Sequence, residues 1–163
     1  MCCGVIAMSR PFFTRKRALL LILGLILVVG LGYAVYYFTT PYTAEPSPYT
    51  GEPAPGITLQ TDQSVYPADV YAIPVTIRND SDNYWEGTDH GILERQENGQ
   101  WYTLSILRGI TQTSMGWSAF PGESKTYSVL VGTIYGPRLK PGHYRIVMAY
   151  FSLRYAAVEF DIK

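Results

Sequence analysis

In the closing stretch Ala156-Ala157-Val158-Glu159-Phe160-Asp161-Ile162-Lys163, the residues Ala156, Val158, Phe160 and Ile162 alternate with Ala157, Glu159, Asp161 and Lys163. A period of two puts one set on each face of a β-strand. The same rhythm recurs upstream. Tyr71, Ile73, Val75 and Ile77 alternate with Ala72, Pro74, Thr76 and Arg78; Tyr127, Val129 and Val131 alternate with Thr126 and Ser128; Tyr144, Ile146, Met148 and Tyr150 form a further stripe. One apolar face per strand predicts antiparallel sheets packed over a shared core. Pro74 lacks an amide proton, so its strand lies at an edge or carries a bulge there.

Turn chemistry separates these runs. Glu97-Asn98-Gly99-Gln100 falls between Ile92–Gln96 and Trp101–Leu104, and Asn-Gly tolerates the positive φ of a tight hairpin. Asn79-Asp80-Ser81-Asp82-Asn83 reads as a polar loop, and Pro121-Gly122 and Pro141-Gly142 as type II turns. Many short strands with no convincing helix among them predict a β-sandwich over residues 57–163. Gly142-His143-Tyr144 has the spacing of a tyrosine corner, in which the phenol hydroxyl ties back to upstream backbone.

Through these residues the chain resembles a family of bacterial immunoglobulin-like domains of Gram-positive surface and lipoprotein-type proteins. The matching pieces are Val65-Tyr66-Pro67, Val75-Thr76-Ile77-Arg78-Asn79-Asp80-Ser81, and the hairpin Leu93-Glu94-Arg95-Gln96-Glu97-Asn98-Gly99-Gln100-Trp101. Pro121-Gly122-Glu123-Ser124-Lys125 and Leu139 to Val147 complete the set. Gln112–Phe120 departs from the pattern, being richer in Trp and Met. The resemblance implies an all-β, immunoglobulin-like antiparallel β-sandwich and an accessory or binding module, with no catalytic residues to carry over.

The other end of the chain is of a different kind. Arg10, Arg15, Lys16 and Arg17 abut the charge-free run Ala18 to Phe38, roughly the 20 residues that cross a bilayer as a helix. The cationic tip predicts a cytoplasmic N-terminus (1–17), a transmembrane signal anchor at 18–38 in the plasma membrane, and an extracytoplasmic C-terminal domain. The apolar run exceeds a cleaved signal's core, and Tyr42-Thr43-Ala44 is a poor cleavage site. Tyr33, Tyr36, Tyr37 and Phe38 suit the outer headgroup region, and Gly30 with Ala34 forms a small-xxx-small pair able to promote helix pairing. Cys2 and Cys3 precede the anchor, leaving the exported part without a disulfide. No lipobox precedes them, and a start at Met8 is the plainer alternative. Over 39–56, Pro41-Tyr-Thr-Ala-Glu-Pro46 recurs as Pro48-Tyr-Thr-Gly-Glu-Pro53. Such proline density predicts an extended spacer of roughly 50 Å that lifts the domain off the membrane.

Charge and reactive groups narrow the function. The formal net charge is +0 with the cations crowded at the tip, so no basic stripe invites nucleic acid. His90 and His143, the only histidines, stand in loop and turn settings without a nucleophile or metal-ligand spacing, and the expectation is no enzyme and no cofactor. Asp80, Asp82 and Asp89 suggest a calcium loop but fit no EF-hand and serve equally as turn formers. Trp117, Phe120 and Tyr135 are the candidate ligand-binding residues, Trp117 with Tyr135 forming a platform for a glycan or peptide; in the preferred alternative, Trp117 and Phe120 plug an end of the core.

The expectation is therefore a non-enzymatic binding or structural module at the cell surface. Its partners would be the bilayer through residues 18–38 and an extracytoplasmic protein or cell-wall glycan. The alternative is an accessory subunit or sensor ectodomain whose helix contacts a partner.

Overall fold

The computed structural model describes residues 15–39, 43–88, 91–107, 109–110, 116–149 and 154–163. They form two compact units, one ending at Tyr37 and one running from Phe38 to the C-terminus.

The first unit is helix α1 (Arg15–Thr39). Its stretch Lys16–Tyr36 is long and apolar enough to cross a membrane, and none of it is buried in the protein. Leucine, isoleucine and valine side chains point outward all round it, as expected of a helix solvated by lipid rather than by a protein core.

Among the described residues the second unit has eleven strands: β1 (Thr43–Pro46), β2 (Ile57–Thr61), β3 (Val65–Tyr66), β4 (Ile73–Asn79), β5 (Trp85–Thr88), β6 (Ile92–Glu97), β7 (Gln100–Leu104), β8 (Gly116–Ala119), β9 (Ser124–Val129), β10 (Gly142–Ala149) and β11 (Tyr155–Ile162). One sheet has the order β1-β7-β6-β10-β11-β3; against it lie a three-stranded sheet β2-β4-β9 and a pair β5-β8. The core between them holds Ile73, Val75, Ile77, Leu93, Ile146, Met148, Phe160 and Ile162. The alternation over 156–162 is realised: Ala156, Phe160 and Ile162 are buried and Glu159 is exposed.

The turn readings meet mixed outcomes. Asn98 (φ 52°) and Gly99 (φ 80°) make the two-residue hairpin between β6 and β7. At Pro121-Gly122 the amide of Glu123 donates to the Phe120 carbonyl at 2.9 Å, and Gly122 has φ 76°, as a type II turn requires. Gly142 instead opens β10, paired with Ile162, so Pro141-Gly142 is a strand entrance and not a type II turn. The tyrosine corner is present: the Tyr144 hydroxyl donates to the Lys140 carbonyl at 2.7 Å.

Other expectations need correction. Tyr71 lies outside β4 and is 64% exposed; its hydroxyl accepts from Thr133 Oγ1, and the strand starts at Ile73. Val131 belongs to a single helical turn, α2 (Val131–Ile134), rather than to β9. Pro74 sits in the middle strand of its sheet, yet β2 reaches only Val75, so at Pro74 the strand is locally an edge. Not every pairing is antiparallel either: the chain leaves the second layer after β2, and β3 joins β11 in parallel, Val65 opposite Asp161.

The largest difference concerns the proline-rich segment. It is extended, but it does not stand free as a rod over 43–55. Prolines remove donors without preventing edge pairing, and β1 caps the β7 edge with Thr43 opposite Leu104 and Pro46 opposite Tyr102. Beyond β1, the Ser47 amide donates to the Trp101 carbonyl and the Ala54 amide to the Tyr155 carbonyl. The spacer is thus folded onto the domain that it was expected to hold at a distance.

Candidate functional site

The three aromatic candidates do not share a surface. Trp117 on β8 is 1% exposed, stacked on Trp85 at 6.2 Å and edge-on to Tyr127 at 6.4 Å. Gly87 stands opposite it across the β5–β8 pair, and a Cβ there would lie 2.5 Å from the indole. Only a glycine leaves room for the ring. Tyr135 is also 1% exposed; its hydroxyl accepts from the Leu93 amide and donates to the Gly91 carbonyl. Burial pushes that phenol up to about 12. Its role is to satisfy backbone groups at the entrance of β6. Phe120 is 58% exposed and leans on Tyr84 at 5.0 Å, with the Lys125 ammonium 5.8 Å from its ring. Plugging the core thus describes Trp117 and not Phe120, and Trp117 and Tyr135, both buried, form no exposed platform.

Calcium and catalysis can be placed only in part. Asp89, His90 and Gln112–Met115 lie outside the described residues, as does Tyr150 of the β10 stripe. Asp80 is tied to Arg78 at 2.7 Å, which holds its carboxyl below the usual range. Among the described residues no group of three or more His, Cys, Asp or Glu is arranged to hold a metal. His143 Nδ1 lies 2.8 Å from Asp161 and Nε2 3.0 Å from Glu159. Those two carboxylates, Asp161 first, raise its pKa above the ordinary imidazole value.

A different constellation occupies the outer face of the six-stranded sheet. Arg145 on β10 and Glu94 on β6 are register partners, their side chains 7% and 0% exposed and 2.7 Å apart. Thr103 Oγ1 donates to the other Glu94 oxygen at 3.0 Å. The proline-rich segment closes over this pair: Arg145 Nη2 donates to Ser47 Oγ at 3.2 Å and to the Tyr49 carbonyl at 2.9 Å. The guanidinium lies 4.5 Å from the Trp101 ring centre, and Tyr155 donates its hydroxyl to Gly51. Burying a charge pair is costly unless its remaining hydrogen-bonding groups find partners, and here segment 47–51 supplies them. An open recess of about 390 Å³ remains between segment and sheet, lined by Ser47, Tyr49, Gln100, Trp101, Arg145 and Tyr155 among others.

Sequence reasoning missed these residues because Arg145 falls on the parity assigned to solvent. The available signal was Val147, an apolar residue of that same parity and fully buried.

With the geometry in place, comparison with known proteins decides the family. The bacterial Ig-like domain family matches residues 53–161, more than half of the chain. The chain belongs to that family. No curated protein matches the sequence. Among solved structures, a β-glucosidase from Erythrobacter marinus is 13% identical, covering 66% of this chain and 15% of that one, with a TM-score of 0.37. A Listeria innocua β-glucosidase is 16% identical over 65% of this chain and 16% of its own, also at 0.37. A conjugative transposon lipoprotein from Bacteroides eggerthii is 14% identical over 68% of this chain and 99% of its own, at 0.28. The matched region thus spans only a small part of each glucosidase, and at these TM-scores the likenesses carry no functional inference. The protein is a bacterial Ig-like domain preceded by an apolar helix able to span a membrane.

Proposed function

We propose that the chain is a single-pass, membrane-anchored module whose Ig-like domain works without catalysis on the extracytoplasmic face, as a binding or structural element at the cell surface. The observation that carries the reading is α1 itself. Its Lys16–Tyr36 stretch buries nothing within the protein, so its apolar surface needs another apolar phase. Lys16 and Arg17 at its start favour a cytoplasmic N-terminus, and the exposed Tyr33 and Tyr36 suit the opposite interface. The family contributes a domain type used at surfaces. The partner would be an envelope protein or a cell-wall glycan, and His143 with Asp161 and Glu159 serves the domain's own hydrogen-bond network.

Fractionation tests this. The intact chain should stay with membranes through an alkaline carbonate wash, and protease added to cells with the envelope opened should remove the C-terminal domain while sparing the tip. Release into buffer, or a domain that is cut only after cell lysis, would contradict it. The second reading, an accessory or sensor subunit, is favoured by the Gly30 and Ala34 spacing on α1. Moving residues 43–163 onto a foreign anchor separates the two: partner capture survives the swap if the domain alone binds, and is lost if the helix contributes.

A further inference from the structure

We propose that the recess beneath the proline-rich segment binds a neutral sugar, one pyranose unit of an oligosaccharide. This rests on the binding-module reading above and names its ligand class. The recess, about 390 Å³, falls within the roughly 300–1,000 Å³ typical of small-molecule sites.

Three aromatic side chains contribute to its lining: half-buried Trp101 with the Arg145 guanidinium against its ring, buried Tyr155, and Tyr49, which tilts against Tyr155 with ring centres 5.4 Å apart. Flat ring faces match the apolar C–H face of a pyranose and supply rigid contact area at small entropic cost. Its exposed rim carries the Gln100 carboxamide, a group that both donates and accepts, as sugar hydroxyls require, while the buried Ser47 hydroxyl, which accepts from Arg145 Nη2 and the Tyr49 amide, keeps its own proton to donate.

Two other ligand classes fit less well. An anion seeks an unpaired guanidinium fork, but Arg145 already spends Nε and Nη2 on Glu94 at 2.7 Å. The floor of the recess therefore carries no uncompensated charge. A peptide captured by strand addition needs a free sheet edge. Here the β7 edge is taken by β1 and by the Ser47 amide on the Trp101 carbonyl. A ligand sitting between segment and sheet would also hold residues 47–51 in place.

The test uses the full chain in detergent micelles, titrated with cellobiose and chitobiose as neutral probes, glucuronate as the anionic one and triglycine as the peptide. Trp85 and Trp117 are buried, so the half-buried Trp101 dominates any change in solvent-quenched fluorescence; calorimetry gives affinities independently. A saturable response to a neutral disaccharide at millimolar concentration is expected. Gln100→Ala, on the exposed turn and outside the core, should weaken it about tenfold with unchanged thermal unfolding, the loss of one good contact. Trp101→Ala should abolish it. Bound sugar should also slow proteolysis between residues 47 and 52.

No saturation with either disaccharide would overturn the assignment. So would an equal or stronger response to glucuronate or triglycine, or affinity indifferent to both substitutions. A chain that stays in membranes yet takes no sugar removes this ligand assignment and leaves the anchor reading standing.

Discussion

The two faces of β10 are made by one strand and buried by different means. Inward, Tyr144, Ile146 and Met148 enter a core shared with Phe160, Leu93 and Val75. Outward, His143 stays part-exposed, Val147 is buried, and Arg145 looks onto a surface that Ser47 and Tyr49 of the proline-rich segment cover. The inner face is held by apolar contact, which is non-directional and tolerant of detail. The outer face is held by directed bonds from Arg145 to Glu94, Ser47 and Tyr49. Its burial is therefore conditional: it exists while the proline-rich segment is docked.

The largest test of that contrast is Glu94→Ala. It leaves the buried Arg145 guanidinium without its only counter-charge among the described residues, its bonds to Ser47 and Tyr49 being neutral, and should cost about 3–5 kcal/mol. Chemical unfolding of the full chain in micelles measures it; a loss under about 1 kcal/mol would mean that the face is already wet. Replacing the pair together, Glu94→Leu with Arg145→Met, sharpens the comparison. Removing both charges leaves none uncompensated, so unfolding should lie within about 1–2 kcal/mol of the natural protein. The segment nevertheless loses the bonds from Nη2 to Ser47 and Tyr49 and should become sensitive to protease. Stability and docking would then separate, which an apolar seal would not allow.

On the inner face, Tyr144→Phe deletes the bond to the Lys140 carbonyl while keeping the ring stacked on Phe160. The expected cost is about 1 kcal/mol, read from the same unfolding curves, with no change in proteolysis of the segment.

The smallest effect is that of pH. Asp161, and then Glu159, hold the His143 imidazole above its ordinary 6.5. A raised folded value means that this contribution is fully present below about pH 6.5 and fades as pH rises through the folded value. Because the cluster is largely solvated, the change in Tm should be slight, declining as pH rises above about 6.5, and His143→Gln should remove it. A Tm difference between the two proteins that grows with pH would reverse the sign.

The same contrast explains what could be read from the residues. Alternation located β4, β10 and β11, and Asn98-Gly99 located the hairpin, because those features follow from period and local backbone preference. The tyrosine corner was legible for the same reason. The residues of the recess were not. Nothing local marks Ser47 or Tyr49 as partners of a residue nearly 100 positions later, and composition makes a Pro-rich stretch look like a free rod. Trp117 and Tyr135 were singled out as large rings near loops, yet whether such a ring faces in or out depends on its opposite number. Gly87 settles it for Trp117, and the backbone groups of Gly91 and Leu93 settle it for Tyr135.

Hydrogen exchange on the full chain addresses the docked segment most directly. The account predicts that the amides of Ser47 and Ala54, which donate to Trp101 and Tyr155, are protected to nearly the same degree as those of β7, and that Glu94→Ala returns them to rapid exchange. Exchange of these two amides at the rate of an unstructured peptide in the unaltered protein would contradict it.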